Sequence, residues 1–500
     1  MFEVGRSARI AIIITFIIYS IFMIAIGIYS KKVMDKAKDD KYMDEYFTGN
    51  RTMGPLVVAM MIAAGLCSAG TFLGGPGLAW SVGLTWVLAI LAQSFMNFAI
   101  LGEIGKKVGI VSRRIGAQSY LDLFSSRYNN NKLIGIFGVL AILIFLGGYD
   151  VAQFVGGARL FESMTGLPYI LGLVIFAGLV LITAALGGIK GVATAIAFQG
   201  VIMTVAVVTL FVGAIKYAMP LQQTYETLIS IDPKLVTPWS WSIPYQISLW
   251  ITYGLVFIGL PHGAMGALTY KDTKSMHQSI ILGGGFVLVW SIILIWVGSL
   301  GRAMFPELTV ADQIIPAITM TVLPPWMAGL TLAGVAGAIQ STVGAMIIVL
   351  SSTFVRNAYQ TFINPKADSK KLKKVAIAST TIITLCIFAL AINPPNSLQY
   401  IITFAIGGLG SAFFWPMLLG VYWKRTNEYG AAAGMIGGMV TYILGAGNFL
   451  NITMGMNAIV ISLIISGILT VLVSKVTPKA PKGIIMIWFG KTYPSVITER

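Results

Sequence analysis

The sequence predicts an all-α polytopic membrane protein of about 13 transmembrane helices, organised around a 5+5 inverted repeat. Three observations carry this prediction. Only 10% of the 500 residues are charged and 57% are hydrophobic, whereas a soluble domain carries about 25% charged residues. Apolar runs of about 20 residues recur along the whole chain, the length that a hydrocarbon core about 30 Å thick demands. Two of these runs are interrupted by clusters of glycine and proline, and they lie five spans apart. The short alternating segments of a membrane β-barrel do not occur.

The first apolar run, Ile10 to Tyr29, is longer than a signal-peptide core and lacks a cleavage site before "KKVMDK". It reads as a retained peripheral helix over residues 10–30. The second span opens near Gly54 and contains "AAGLCSAGTFLGGPG", with five glycines and a proline between Ala63 and Gly77. Spans three to six open near Ser81, Leu133, Leu167 and Ala193, the last two joined at Lys190, and complete a first half over residues 54–215. The seventh span, from Tyr245, carries the second break, "YGLVFIGLPHGAMG". Spans eight to eleven open near Ser279, Trp326, Val375 and Ser397 and complete a second half over residues 245–423. Two peripheral helices near Gly430 and Met456 (430–475) and a tail (476–500) follow. Five spans of separation make the two broken segments cross in opposite directions, as inverted repeats require. Between spans, "PELTVADQIIPAITMTVLPP" is long enough for a short helix across the outer face or a plain connector.

The net charge of +16 would suit nucleic acid in a soluble protein, but here its position assigns topology. With the N-terminus outside, 28 of the 34 Lys and Arg residues fall on the cytoplasmic side, leaving Arg6, Arg9, Arg159, Lys216, Lys234 and Arg302 outside. That asymmetry is the positive-inside pattern. It predicts a multi-pass cell-membrane protein with a cytoplasmic C-terminus. Two separate cysteines in apolar runs, Cys67 and Cys386, imply no disulfide framework, and two histidines imply no transition-metal site.

Non-helical backbone at membrane depth is tolerated only where it is buried in protein or lines a cavity. An unwound turn frees carbonyl oxygens, the ligands a hard cation prefers, and broken half-helices aim dipole ends at a bound ion or solute. Isolated glycines would mean only close helix packing. Repetition of the cluster at the symmetry-related position favours an ion or solute site. Ser341 and Thr342, in "LAGVAGAIQSTVGAMIIVLSS", add two adjacent hydroxyls among small residues, although such hydroxyls often bond back to their own helix.

The stretches "GGARLFES", "ALGGIKGV", "GLPHGAMGALTYKD", "AGAIQST" and "WPMLLGVYWKR" resemble the sodium:solute symporter family over nearly the whole chain. The resemblance implies the leucine-transporter-type fold, with broken first and sixth core helices, and sodium-coupled import without an organic cofactor. Its shared sodium site maps onto the carbonyls of Ala64, Cys67 and Ala338 and the hydroxyls of Ser341 and Thr342. Solute positions map onto Gly70, Thr71, Tyr149, Gln153, Tyr253 and Phe257. The implied solute is a small organic anion, pantothenate foremost, with proline, a monocarboxylate or a sugar as alternatives. A sensor that keeps the fold is a further alternative, although the tail after Lys475 is too short for a soluble output domain. Three positions depart from the family pattern. Ile196 replaces an acid used by relatives at a second ion site, which predicts one sodium per cycle. Leu66 replaces an acid beside the first sodium carbonyls, and Gly266 stands where many relatives carry an arginine.

Asp150 is the clearest acid within a span. It could pair with Arg159, tune sodium affinity, exchange protons, or face an aqueous vestibule. His262 reads as a hydrogen-bonding partner for freed backbone, with a proton relay as the alternative, and Glu103 as an interfacial charge. No nucleophile–base or metal constellation suggests an enzyme, and the polar positions cluster at the two breaks rather than along a continuous pore.

Overall fold

The computed structural model describes residues 5–34, 51–96, 98–217, 219–394, 397–447, 449, 453 and 455–490, excepting the side chains of 27, 30–34, 182–194 and 262–265. Among these residues the protein is all helix, with one isolated backbone bridge, Met53 to Tyr270. Ten helices are long and apolar enough to cross a membrane, or eleven when the bent pair Pro55–Leu66 and Gly70–Val82 is one span. Two further predicted spans are shorter apolar stretches, Tyr169–Leu181 and Ile243–Gly259.

In chain order the elements begin with α1 (Arg6–Met34), α2 (Pro55–Leu66) and α3 (Gly75–Val82). They continue with α4 (Leu84–Ile115), α5 (Tyr120–Arg127), α6 (Lys132–Thr165) and α7 (Tyr169–Tyr217). The middle of the chain supplies α8 (Leu221–Ile231), α9 (Ile243–Gly259), α10 (Pro261–Thr269) and α11 (Thr273–Met304). Then follow α12 (Ile314–Val322), α13 (Pro325–Ile363), α14 (Ser369–Leu390) and α15 (Leu398–Tyr422). The chain ends in α16 (Glu428–Ala446), α17 (Ala458–Val476) and α18 (Lys482–Phe489).

One expectation changes. Lys190 was predicted to join two spans, yet the backbone is helical without interruption for 49 residues in α7. Gly187, Gly188 and Gly191 are taken into helical backbone there, a conformation that costs each only about 1 kcal/mol relative to alanine. The segment "ADQIIPAITMTV" does form a short helix, a 3-10 turn at Ala311–Gln313 leading into α12.

Burial orders the bundle. The most apolar window of α13 is 100% buried, while that of α1 is only 22% buried. The central helix is rich in alanine and glycine because apolar lipid supplies no hydrophobic drive between helices, so close backbone contact must. Helices α1, α2, α6 and α7 pack around α13, and α15 leans on α6, α16 and α17. Ile14, Ile17, Ile18 and Ile21 of α1 point outward, as a lipid-facing stripe should. Two close approaches fix α3 against α11 and against the Ala311–Gln313 turn. A Cβ on Gly298 would stand 2.5 Å from the Pro76 carbonyl oxygen, and one on Gly77 2.9 Å from that of Ala311.

Candidate functional site

Both glycine–proline segments are broken as predicted. Helix α2 stops at Leu66, Cys67 leaves the helix at φ −79°, ψ 87°, and a π-turn at Gly70–Gly74 leads into α3. The axes on either side of the break differ by 59°. In α9 a π-turn at Ile251–Leu255 precedes the break at Leu260, which is extended at φ −82°, ψ 123° before Pro261 starts α10. Proline lacks an amide hydrogen, so Pro261 is suited to the first turn of the new helix, where no amide bond back to the first is needed.

The carbonyl oxygen of Ala64, in the last turn of α2, faces α13. Ser341 Oγ donates to it at 2.7 Å and also contacts the Ala338 oxygen at 2.9 Å. Thr342 Oγ1 lies 3.2 Å from the Ala64 oxygen and 3.1 Å from that of Ala338. Bonding only to Ala338 would be ordinary back-bonding within a helix. Reaching Ala64 as well makes these hydroxyls a bridge between the broken span and the central helix. All four residues are at most 1% exposed. The structure therefore gathers two carbonyls and two hydroxyls in a dry setting, a donor set suited to a hard monovalent cation. Cys67 directly follows α2, with its carbonyl turned off the helix by its ψ of 87°.

Next to this cluster a small, nearly closed cavity is lined by Gly70, Thr71, Tyr149, Tyr253 and Phe257, five of the six predicted solute positions. Gln153 sits behind the wall. Its Oε1 accepts the Ala69 amide at 2.8 Å and so holds the break open as a shaped loop. The sequence reading missed Ser68, Gln93 and Gln399, which also line the cavity. Gln93 Nε2 donates to Thr71 Oγ1 at 3.0 Å, and Gln399 Nε2 to Tyr253 Oη at 2.6 Å. Tyr253 Oη is also 2.6 Å from Thr403 Oγ1, while Ser68 Oγ lies 3.4 Å from Tyr149 Oη. Gln399 Oε1 is buried without a hydrogen-bond partner. It presses on the π-turn, only 2.8 Å from where a Cβ on Gly74 would be. The lining holds amides, hydroxyls and aromatic rings but no charged side chain.

The charged candidates separate. Arg159 pairs with Asp312 Oδ2, not with Asp150. Nine residues on one helix turn through about 900°, placing Asp150 and Arg159 on opposite faces. Asp150 is fully buried, with both carboxylate oxygens lacking a hydrogen-bond partner, so it does not face a vestibule. Glu103 is exposed, and the His262 side chain lies outside the described residues. Ile196 and Leu66 are buried, and a Cβ at Gly266 would come within 2.5 Å of Ile62 Cδ1.

Residues 46–438 match the sodium:solute symporter family. The sodium/pantothenate symporter of Haemophilus influenzae (strain Rd) is 37% identical over 87% of this chain and 90% of its own length. That of Escherichia coli K12 is 35% identical over 92% and 95%. The osmoregulated proline transporter OpuE of Bacillus subtilis is 28% identical over 95% and 96%. Among solved structures, a sodium-coupled sialic acid symporter in an outward-open, substrate-bound state superposes with TM-score 0.79. It shares 19% identity and covers 94% of this chain and 98% of that one.

Proposed function

The chain belongs to the sodium:solute symporter family, and from that premise we propose that it carries one sodium ion and one pantothenate inward together. As a family member it is a sodium-coupled secondary transporter of a small organic solute, set in the lipid bilayer, and not an enzyme. Sodium is the coupling ion, held in this proposal by the carbonyls of Ala64, Cys67 and Ala338 and the hydroxyls of Ser341 and Thr342. The observation that carries the assignment is the reach of both hydroxyls from α13 to the Ala64 oxygen of the broken span. A cation there would draw α2 and α13 together in one conformation and not in another, and only such differential affinity produces coupling. Ile196, an apolar side chain where relatives carry an acid, supports a single sodium.

Pantothenate is favoured by the two symporters at 37% and 35% identity. Its hydroxyls and amide match the hydrogen-bonding groups of Gln93, Gln399, Thr71, Tyr149 and Tyr253, which part to admit it in this proposal. Its carboxylate needs no basic side chain if it meets the positive end of a half-helix. The paired breaks of α2–α3 and α9–α10 support a leucine-transporter-type inverted repeat of residues 54–215 on 245–423, with peripheral helices at 10–30 and 430–475. The distribution of Lys and Arg supports an external N-terminus and a cytoplasmic C-terminus.

Uptake of labelled pantothenate into proteoliposomes, with and without an inward sodium gradient, tests the proposal. Uptake should need the gradient and be lost in Ser341→Ala/Thr342→Ala. Sodium-driven uptake of proline but not pantothenate would instead favour the second reading, which rests on the proline transporter at 28% identity.

A further inference from the structure

We propose that Tyr120 is a positioning residue of the transport cycle: its hydroxyl latches the second broken span shut at the basic end of the bundle. This rests on the reading of the chain as an alternating-access symporter, with no particular solute required.

Gly259 is the last residue of α9 before the break. The last carbonyls of a helix have no amide to meet, and the proline two residues on supplies none. Tyr120 Oη donates to the Gly259 oxygen at 3.0 Å, and Tyr120 is fully buried. The absence of a side chain at Gly259 is what allows this placement, because a Cβ there would stand 2.8 Å from the Phe414 amide nitrogen of α15.

The hydroxyl is mounted on a fixed shelf. Helix α5 begins with a capping box in which Ser119 and Asp122 satisfy each other's backbone amides. Both are tied to Asn357 of α13, Ser119 Oγ at 2.8 Å from its Oδ1 and its Nδ2 donating to Asp122 Oδ1 at 3.1 Å. At the other end, Arg127 Nε donates to the Gly420 oxygen at 2.7 Å and Nη2 to that of Trp423 at 3.1 Å. Helix α18 adds a further tie, Trp488 Nε1 donating to Ser126 Oγ at 3.2 Å. The Tyr120 ring packs edge-on against Phe413 of α15, 5.3 Å between centroids. Tyr120 therefore belongs mechanically to the unbroken helices α13 and α15, while Gly259 belongs to the broken span.

The two breaks are thus treated alike in one respect. Each leaves a carbonyl that a hydroxyl from an unbroken set of helices takes up: Ala64 by Ser341 and Thr342, Gly259 by Tyr120. Among the described residues the second contact has one hydroxyl and no cluster of further oxygens, so it acts as a latch and not as an ion site. Moving the end of α9, and α10 with it, away from the shelf to open the basic end requires that bond to break. Arg51, which donates to the Ala117 oxygen at 2.8 Å, and Arg113, which donates to the Tyr270 oxygen, mark the same end.

Tyr120→Phe removes the bond and keeps the ring. The loss of one net hydrogen bond should raise the population open at this end about fivefold. Tyr128→Phe is the matched control, since the Tyr128 hydroxyl donates to the Pro416 oxygen of α15 and so ties shelf to shelf. The readout is the rate at which a membrane-impermeant maleimide labels Ala267→Cys, placed at a buried position of α10, from the basic side, in full-length protein with Cys67 and Cys386 replaced. Labelling about fivefold faster with Tyr120→Phe and unchanged with Tyr128→Phe is the expected result. Equal rates in parent and Tyr120→Phe would overturn the proposal, as would the same acceleration in both variants, which would mean general loosening. The assay uses no solute, so failure of the pantothenate assignment would show in uptake and leave this comparison intact.

Discussion

Replacing Arg159 by methionine should destabilise the protein by about 3–5 kcal/mol, the usual consequence of removing one partner of a buried ion pair. The site makes the upper half of that range the expectation. Asp312 is only 1% exposed and lies on the 3-10 turn that covers the first broken helix. Apart from Arg159, its Oδ2 accepts only the Leu398 amide at 3.3 Å, and its Oδ1 has no hydrogen-bond partner. Burial pushes the Asp312 carboxyl above its ordinary range, while the Arg159 guanidinium pulls it back down. Without the guanidinium, burial is opposed only by that amide, and the carboxyl is held protonated in the folded state to a higher pH. The native state then binds a proton that the unfolded state releases, so Arg159→Met should lose stability as pH rises and regain it as pH falls. Reversible unfolding in mixed detergent micelles, across a pH series, provides the measurement. Arg159→Met/Asp312→Asn should recover about 2 kcal/mol of the summed single-mutant losses, as coupled neighbours do. Single losses below about 1 kcal/mol, or losses that add to within about 0.5 kcal/mol, would refute the pair as a structural tie between α6 and the covering turn.

Two other changes probe the solute wall and the helix crossing. Gln399→Leu should raise the solute KM about tenfold, equivalent to about 1.4 kcal/mol, and leave sodium binding without solute unchanged; an unaltered KM would remove Gln399 from the site. Gly298→Ala puts a Cβ against the Pro76 backbone, 2.5 Å from its oxygen, and should cost about 1–3 kcal/mol by overpacking; a thermal-unfolding midpoint equal to that of the parent would contradict the crossing.

What could be read from the sequence was whatever has a local chemical cause. The glycine and proline clusters of "AAGLCSAGTFLGGPG" and "YGLVFIGLPHGAMG" disfavour continuous helix, and both segments are broken. Ser341 and Thr342 are weak signals by themselves and became specific only through the family resemblance, because the partner that matters, Ala64, is 277 residues from Ser341. Gln93 and Gln399 were missed for the same reason. A single glutamine in a span forms no pattern, and Gln399 finds Tyr253 from 146 residues away. Pairing Asp150 with Arg159 relied on nearness in sequence, which a helix converts into opposite faces, while Arg159's partner comes from a connector 153 residues on. The glycines beside Lys190 show the converse limit, since residues that permit a turn do not compel one.

Equilibrium binding of radioactive sodium to the purified protein, without solute, tests whether the coupling ion sits between α2 and α13. Parent protein should bind one sodium ion per chain, and Ser341→Ala/Thr342→Ala, shown to be folded by its unfolding midpoint, should bind none over the same concentration range. Undiminished binding by the double variant would place the ion elsewhere and contradict the account.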